Sequence, residues 1–94
     1  MAEMKTPQTH ENAEILALEG LGWLAGQEDG FQRFLDQSGI DATDLRAAAG
    51  RPETGLAVLD FLLAHEDLLM GFCEAAGTDP KALHAARYRL DGTA

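Results

Sequence analysis

The chain has 94 residues, 46% of them apolar, which fits one folded domain and excludes an intrinsically disordered protein. Sixteen carboxylates against seven Lys and Arg give a formal net charge of −9, which repels phosphate backbones and anionic lipid, so nucleic acid is disfavoured as a partner. Good helix formers dominate and β-branched residues are scarce, so we expect an all-α protein.

The chain termini are expected to be flexible, over residues 1–7 and 91–94, around a single domain at 8–90. The first residues form no apolar leader, and no apolar run approaches the roughly 20 residues that span a bilayer. We therefore expect a cytoplasmic protein without a membrane segment. Cys73 is the single cysteine and follows Phe72 in an apolar run, which favours a buried thiol over a reactive one.

Six helices are predicted in chain order, near 8–26, 29–38, 42–49, 53–65, 67–76 and 80–90. The first and the fourth are apolar around much of their circumference, which is typical of helices packed on more than one side. We expect these two to pack against each other as a spine that the shorter helices cover. Gly20 and Gly22 in the first helix favour close approach to a neighbouring helix, with a kink near Trp23 as the alternative.

The second half of the chain resembles the first at an offset of 38 residues. This predicts a compact bundle of about six short helices, built from two similar three-helix units at about 13–50 and 51–88. The matching positions are Leu18/Leu56, Leu21/Leu59, Leu24/Leu62, Glu28/Glu66, Asp29/Asp67, Phe34/Phe72, Gly39/Gly77, Asp41/Asp79, Leu45/Leu83, Ala47/Ala85 and Ala48/Ala86.

Several of these matched residues are helix-boundary residues. Asp29 and Asp67 are predicted N-caps. Gly39 and Gly77 are predicted to end their helices in the left-handed conformation. The aspartates two residues later, Asp41 and Asp79, are predicted to begin the next helices.

The assembled pattern resembles the family known as domain of unknown function 3572. The resemblance covers roughly residues 8–90, and its most specific parts are the "EIL" start, the "FLxxSGIDxxDLR" corner and the "VLDFLLxxE" run. It implies an alphaproteobacterial origin and a compact helical domain. It implies no activity, cofactor or catalytic residue.

The last helix carries the main candidate binding residues, Lys81, His84, Arg87 and Tyr88, three of which fall on one face at i, i+3 and i+7. The basic residues either complement the helix dipole, bind an acidic protein, or contact nucleic acid. The spacing from Gly77 to Leu83 and Ala86 also fits a helix-turn-helix. The turn at Gly39 has the same spacing, but a DNA-reading helix after that turn would place carboxylates against the DNA phosphates.

Other candidate motifs favour structural roles. The sequence His65-Glu66-Asp67 lacks the second His of a zinc motif, because Leu69 stands in its place, and His10-Glu11 does not continue either. Leu69, Met70 and Phe72 form either core or a partner-binding groove. We expect no catalytic, metal or cofactor residues and hence no enzyme.

The function predicted from these patterns is a protein-interaction or regulatory module without catalysis. Its partner would be an unknown protein or a second copy of the chain. The alternative is a helix-turn-helix-like DNA-binding protein that uses the last helix.

Overall fold

The computed structural model describes residues 10–91, and it is helical with no strand in that range. The all-α prediction is confirmed. A 3₁₀ turn, Ala42–Asp44, precedes the third helix, and the helices are α1 (His10–Ala25), α2 (Glu28–Ser38), α3 (Leu45–Ala48), α4 (Pro52–Ala64), α5 (Glu66–Ala76) and α6 (Pro80–Leu90). The predicted flexible segment 1–7 and the last three residues of the predicted segment 91–94 lie outside the described residues.

The core lies where α1, α4 and α6 meet, and each of the three helices packs against the other two. The expected spine of α1 and α4 was therefore incomplete, because α6 is as central as either of them. Apolar spacing explains the faces that the helices bury. The buried hydrophobic residues of these three helices are Ala13, Ala17, Leu21, Leu24, Val58, Leu59, Phe61, Leu62, Leu83, Ala86 and Leu90.

Small residues allow the central helices to approach closely. A Cβ atom at Gly55 of α4 would lie 3.1 Å from both the Cβ of Ala17 on α1 and the Cδ1 of Leu90 on α6. A Cβ atom at Gly20 would lie 3.2 Å from Leu62 Cδ1, so close approach at Gly20 is confirmed. The same prediction for Gly22 is wrong, because Gly22 is exposed and a Cβ there would meet no described atom within 4 Å.

The ends of α2 and α5 follow the predicted glycine pattern. Gly39 has φ 77° and Gly77 has φ 69°, the left-handed region that a side chain makes costly. The Gly39 N–H donates to the Leu35 carbonyl, and the Gly77 N–H donates to the Cys73 carbonyl. Both helix ends are therefore closed by a backbone hydrogen bond at the glycine.

The helix starts agree with only part of the prediction. Asp41 accepts a hydrogen bond from the Thr43 N–H at 3.3 Å, and Asp79 accepts one from the Ala82 N–H at 3.1 Å, so both caps are confirmed. Asp29 and Asp67 are not N-caps, because α2 and α5 begin one residue earlier, after Gln27 and His65. Their carboxylates lie in the first turn, where they face the positive end of the helix dipole.

The two halves differ in their third segment. The first half forms a 3₁₀ turn and the four-residue α3, whereas the second forms the 11-residue α6. Pro52 explains the difference, since it begins α4 and disfavours helical geometry at the residue before it, which leaves α3 no room to extend. The division into two similar three-helix units stays a prediction from the sequence.

Replacing Gly55 with Ala should destabilise the protein by about 1–3 kcal/mol, because the new methyl meets Ala17 Cβ, which cannot move without its backbone. Replacing Gly22 with Ala is the control. It should stabilise by up to about 1 kcal/mol, because Ala favours a helix and nothing in the described chain obstructs it. Urea unfolding measures both changes. Equal stabilisation by the two substitutions would contradict the close packing at Gly55.

Candidate functional site

The outer face of α6 presents three of the four candidate residues predicted from the sequence. The inner side of α6 is held in the core by Leu83 and Ala86, which are fully buried. Lys81 and His84 are exposed on the opposite side, and Tyr88 is 58% exposed. The predicted i, i+3, i+7 face is therefore open, and its basic groups are available for contact.

The fourth candidate, Arg87, contacts α4. Its Nε donates a hydrogen bond to the Asp60 carboxylate of α4, in an ion pair at the surface. That hydrogen bond and the charge of Asp60 raise the pKa of Arg87 above its ordinary value, and the charge of Asp91 adds to the effect. Exposed pairs of this kind stabilise a fold by about 0–1 kcal/mol. Arg87 thus ties α6 to α4, and its charge is compensated within the chain.

A groove lies along the outer side of α5 and the start of α6, with a volume of about 660 Å³. Of the residues predicted as either core or groove, Leu69 and Phe72 are buried in the core. Met70 is 51% exposed and lines the groove. We call this the α5–α6 groove, and its lining residues are Asp67, Met70, Gly71, Cys73, Glu74, Thr78, Asp79 and Pro80.

Cys73 lies at the inner wall of the α5–α6 groove and is 4% exposed, so the predicted buried thiol is confirmed. Burial raises the pKa of the thiol, since the apolar surroundings disfavour the charged thiolate, and the negative charge of Asp79 raises it further. A thiol of this kind is a poor nucleophile at neutral pH.

The outward side of α1 is a second open apolar surface. Ile15 is 48% exposed and Leu18 is 47% exposed, and exposed Gly22 continues the same side of the helix at the i+7 position. We call these three residues the α1 face. Sequence reasoning missed it, because a helix that is apolar around much of its circumference gives little indication of which side its neighbours cover.

The remaining motifs are structural where the chain is described. The ring of His65 packs on Phe61 with centroids 4.2 Å apart, and its Nδ1 lies 2.8 Å from the Phe61 carbonyl oxygen. Within residues 10–91 no three His, Cys, Asp or Glu side chains come together as a metal site would require. The side chain of His10 lies outside the described residues. None of the helices in this range has both the length and the apolar character needed for a bilayer crossing.

Comparison with known proteins places the chain in an uncharacterised group. A family model described as "Protein of unknown function (DUF3572)" matches residues 10–93. No curated protein matches the chain, and no solved structure matches it either. The resemblance predicted from the sequence is confirmed over nearly the whole chain.

Alkylation should reveal how well the Cys73 thiol is protected. With iodoacetamide at mildly alkaline pH, the native protein should react about tenfold or more slowly than the same protein unfolded in urea, because burial and the raised pKa both limit the thiolate. Mass spectrometry over time gives the two rates. Similar rates in the native and unfolded states would contradict the buried position.

Proposed function

The chain belongs to the DUF3572 family of proteins of unknown function, and from that premise we propose that it is a protein-interaction module that acts by binding and not by catalysis. One observation carries the proposal. Ile15 and Leu18 lie half-exposed on one side of α1, while the opposite side of the same helix builds the core. We interpret this apolar strip as a docking surface for another protein, because contiguous exposed apolar patches on a folded protein mark interaction sites.

Binding of a partner over the α1 face would be favourable because it removes apolar side chains from water. Removing an aliphatic side chain from water stabilises by about 1.5–3 kcal/mol when burial is complete, so covering the exposed half of two such chains contributes a useful part of a binding energy. Gly22 costs about 1 kcal/mol relative to Ala within a helix. No described atom would lie within 4 Å of a Cβ there, so the fold itself gives no reason for a glycine. A partner backbone that approaches α1 at this point does give one.

A different protein suits the α1 face better than a second copy. The segment His10–Ala25 contains no Lys or Arg, and Glu19 lies exposed beside the face. Two copies that met through α1 would bring like charges together on chains that each carry a net charge of −9. We propose a cytoplasmic setting for this interaction, since a single cysteine suits a reducing compartment.

DNA binding through α6 is the second candidate function, and the exposed Lys81, His84 and Tyr88 favour it. The engagement of Arg87 with Asp60 and the acidic balance of the chain count against it. Titration with duplex DNA at low salt separates the two functions. Binding that Lys81→Ala weakens would support the alternative, and no binding at low salt would remove it.

The α1 face is tested with the double variant Ile15→Gln/Leu18→Gln, which removes both apolar side chains but keeps good helix formers. Affinity purification from the native cell with quantitative mass spectrometry should show about fivefold or greater loss of specific partners, because the docking contact is gone. Thermal unfolding should change little, because the core contacts of α1 lie on its other side.

Tyr88→Gln is the matched control for that variant, since it removes an exposed apolar side chain from α6. The partners should remain bound to it. If both variants capture the same proteins as the parent chain, the α1 face is not the docking surface. If Tyr88→Gln alone loses them, the outer face of α6 is the docking surface instead.

A further inference from the structure

The α5–α6 groove has the layout of a helix-binding surface. Along α5, Asp67, Met70 and Glu74 follow one another at i, i+3 and i+7, which places them on the outward side of the helix, and Gly71 borders that side where α5 meets α1. The turn Thr78–Pro80 at the start of α6 forms the other wall.

The apolar part of the groove centres on Met70. Its neighbours Leu69, Phe72 and Cys73 face inward and complete the core, so Met70 is not needed there. A methionine is long and flexible, and it adapts to the shape of an apolar partner. Met70 is about half exposed to solvent, and a partner helix would cover it.

Trp23 of α1 supports the α5 wall of the groove. A Cβ atom on Gly71 would lie 2.9 Å from Cζ2 of Trp23, so the indole of α1 rests directly against α5 at this point. Trp23 also packs on Phe72, with ring centroids 6.0 Å apart. The side of α5 that carries Met70 is thus fixed in position before a partner binds. Less conformational entropy is therefore lost on binding.

The charges of the groove have one sign. Asp67, Glu74 and Asp79 are lining residues, and none of the described residues that line it is a Lys, Arg or His. Asp79 also caps α6 through the Ala82 N–H. At the inner wall, burial raises the pKa of the Cys73 thiol, and the negative charge of Asp79 raises it further.

We propose that the α5–α6 groove binds an amphipathic helix of another protein, with apolar side chains against Met70 and Lys or Arg side chains against Asp67 and Glu74. Charge complementarity identifies this partner, because carboxylates around an apolar strip attract a cationic helix and repel anionic surfaces. The same carboxylates exclude nucleic acid and anionic lipid from the groove. The proposal concerns a surface distinct from the α1 face and does not depend on it.

A synthetic amphipathic helix of Leu and Lys, labelled with a fluorophore, is the probe. We expect it to bind at low ionic strength, with a dissociation constant that rises with added salt as screening increases. The variant Asp67→Asn/Glu74→Gln should weaken this binding by about tenfold or more, because it removes the two carboxylates that α5 contributes to the groove and leaves the Asp79 cap of α6 intact. A peptide of Leu and Glu should not bind.

The variant Asp29→Asn/Asp36→Asn is the control. It removes the same amount of charge from the corresponding positions of α2, 38 residues earlier, and leaves the groove unchanged. Its affinity for the peptide should stay within about twofold of the parent chain. Met70→Gln keeps all charges and should also weaken binding, which separates docking in the groove from general attraction between opposite charges.

Four results would overturn the proposal. The first is no binding of the Leu and Lys peptide at low salt. The second is equal weakening by the groove variant and the α2 control, which would assign binding to net charge alone. The third is binding that Ile15→Gln/Leu18→Gln abolishes while the groove variant does not, which would place the peptide on the α1 face. Loss of peptide binding on self-association, seen by light scattering, would identify a second copy as the occupant and also overturn it.

Discussion

The contact at Gly55 is the constraint on which the rest of the fold depends. Gly55 of α4 lies against Ala17 of α1 and Leu90 of α6, and a side chain there would force the three helices apart. Because the three helices lie close together, aliphatic side chains and buried alanines can fill most of the core. The whole chain has one Trp and few other aromatic residues. This contact also decides which side of α1 faces inward.

Once that side is decided, the open surfaces of the molecule follow. A helix that is apolar around much of its circumference can bury only the side its neighbours reach. In α1 the buried side is that of Ala13, Ala17, Leu21 and Leu24, where α4 and α6 pack. Ile15 and Leu18 are left on the other side. On α5, likewise, the side that faces the neighbouring helices buries Leu69 and Phe72, and Met70 is left exposed beside carboxylates. The two candidate docking surfaces thus lie on the sides of α1 and α5 that the neighbouring helices leave uncovered.

Local features could be predicted from the sequence, and pairings across the fold could not. The glycine helix ends and the Asp41 and Asp79 caps depend on residues within one turn, so their chemistry is readable from the chain. The ion pair of Arg87 joins residues 27 positions apart, and nothing near either residue indicates it. The N-cap prediction for Asp29 and Asp67 was wrong by two residues, since acidic residues suit both the cap and the first turn. The outer face of α6 was foreseeable, but the α1 face required knowledge of which helices surround α1.

The most direct test of the account is a measurement of how far solvent reaches the methyl groups of α1. Methyl NMR with a soluble paramagnetic agent reports this for each Ile and Leu side chain in the dilute protein. The account predicts strong relaxation of the Ile15 and Leu18 methyls and protection of the Leu21 and Leu24 methyls. Equal protection of all four would contradict it, because α1 would then be covered on both sides and could offer no docking face.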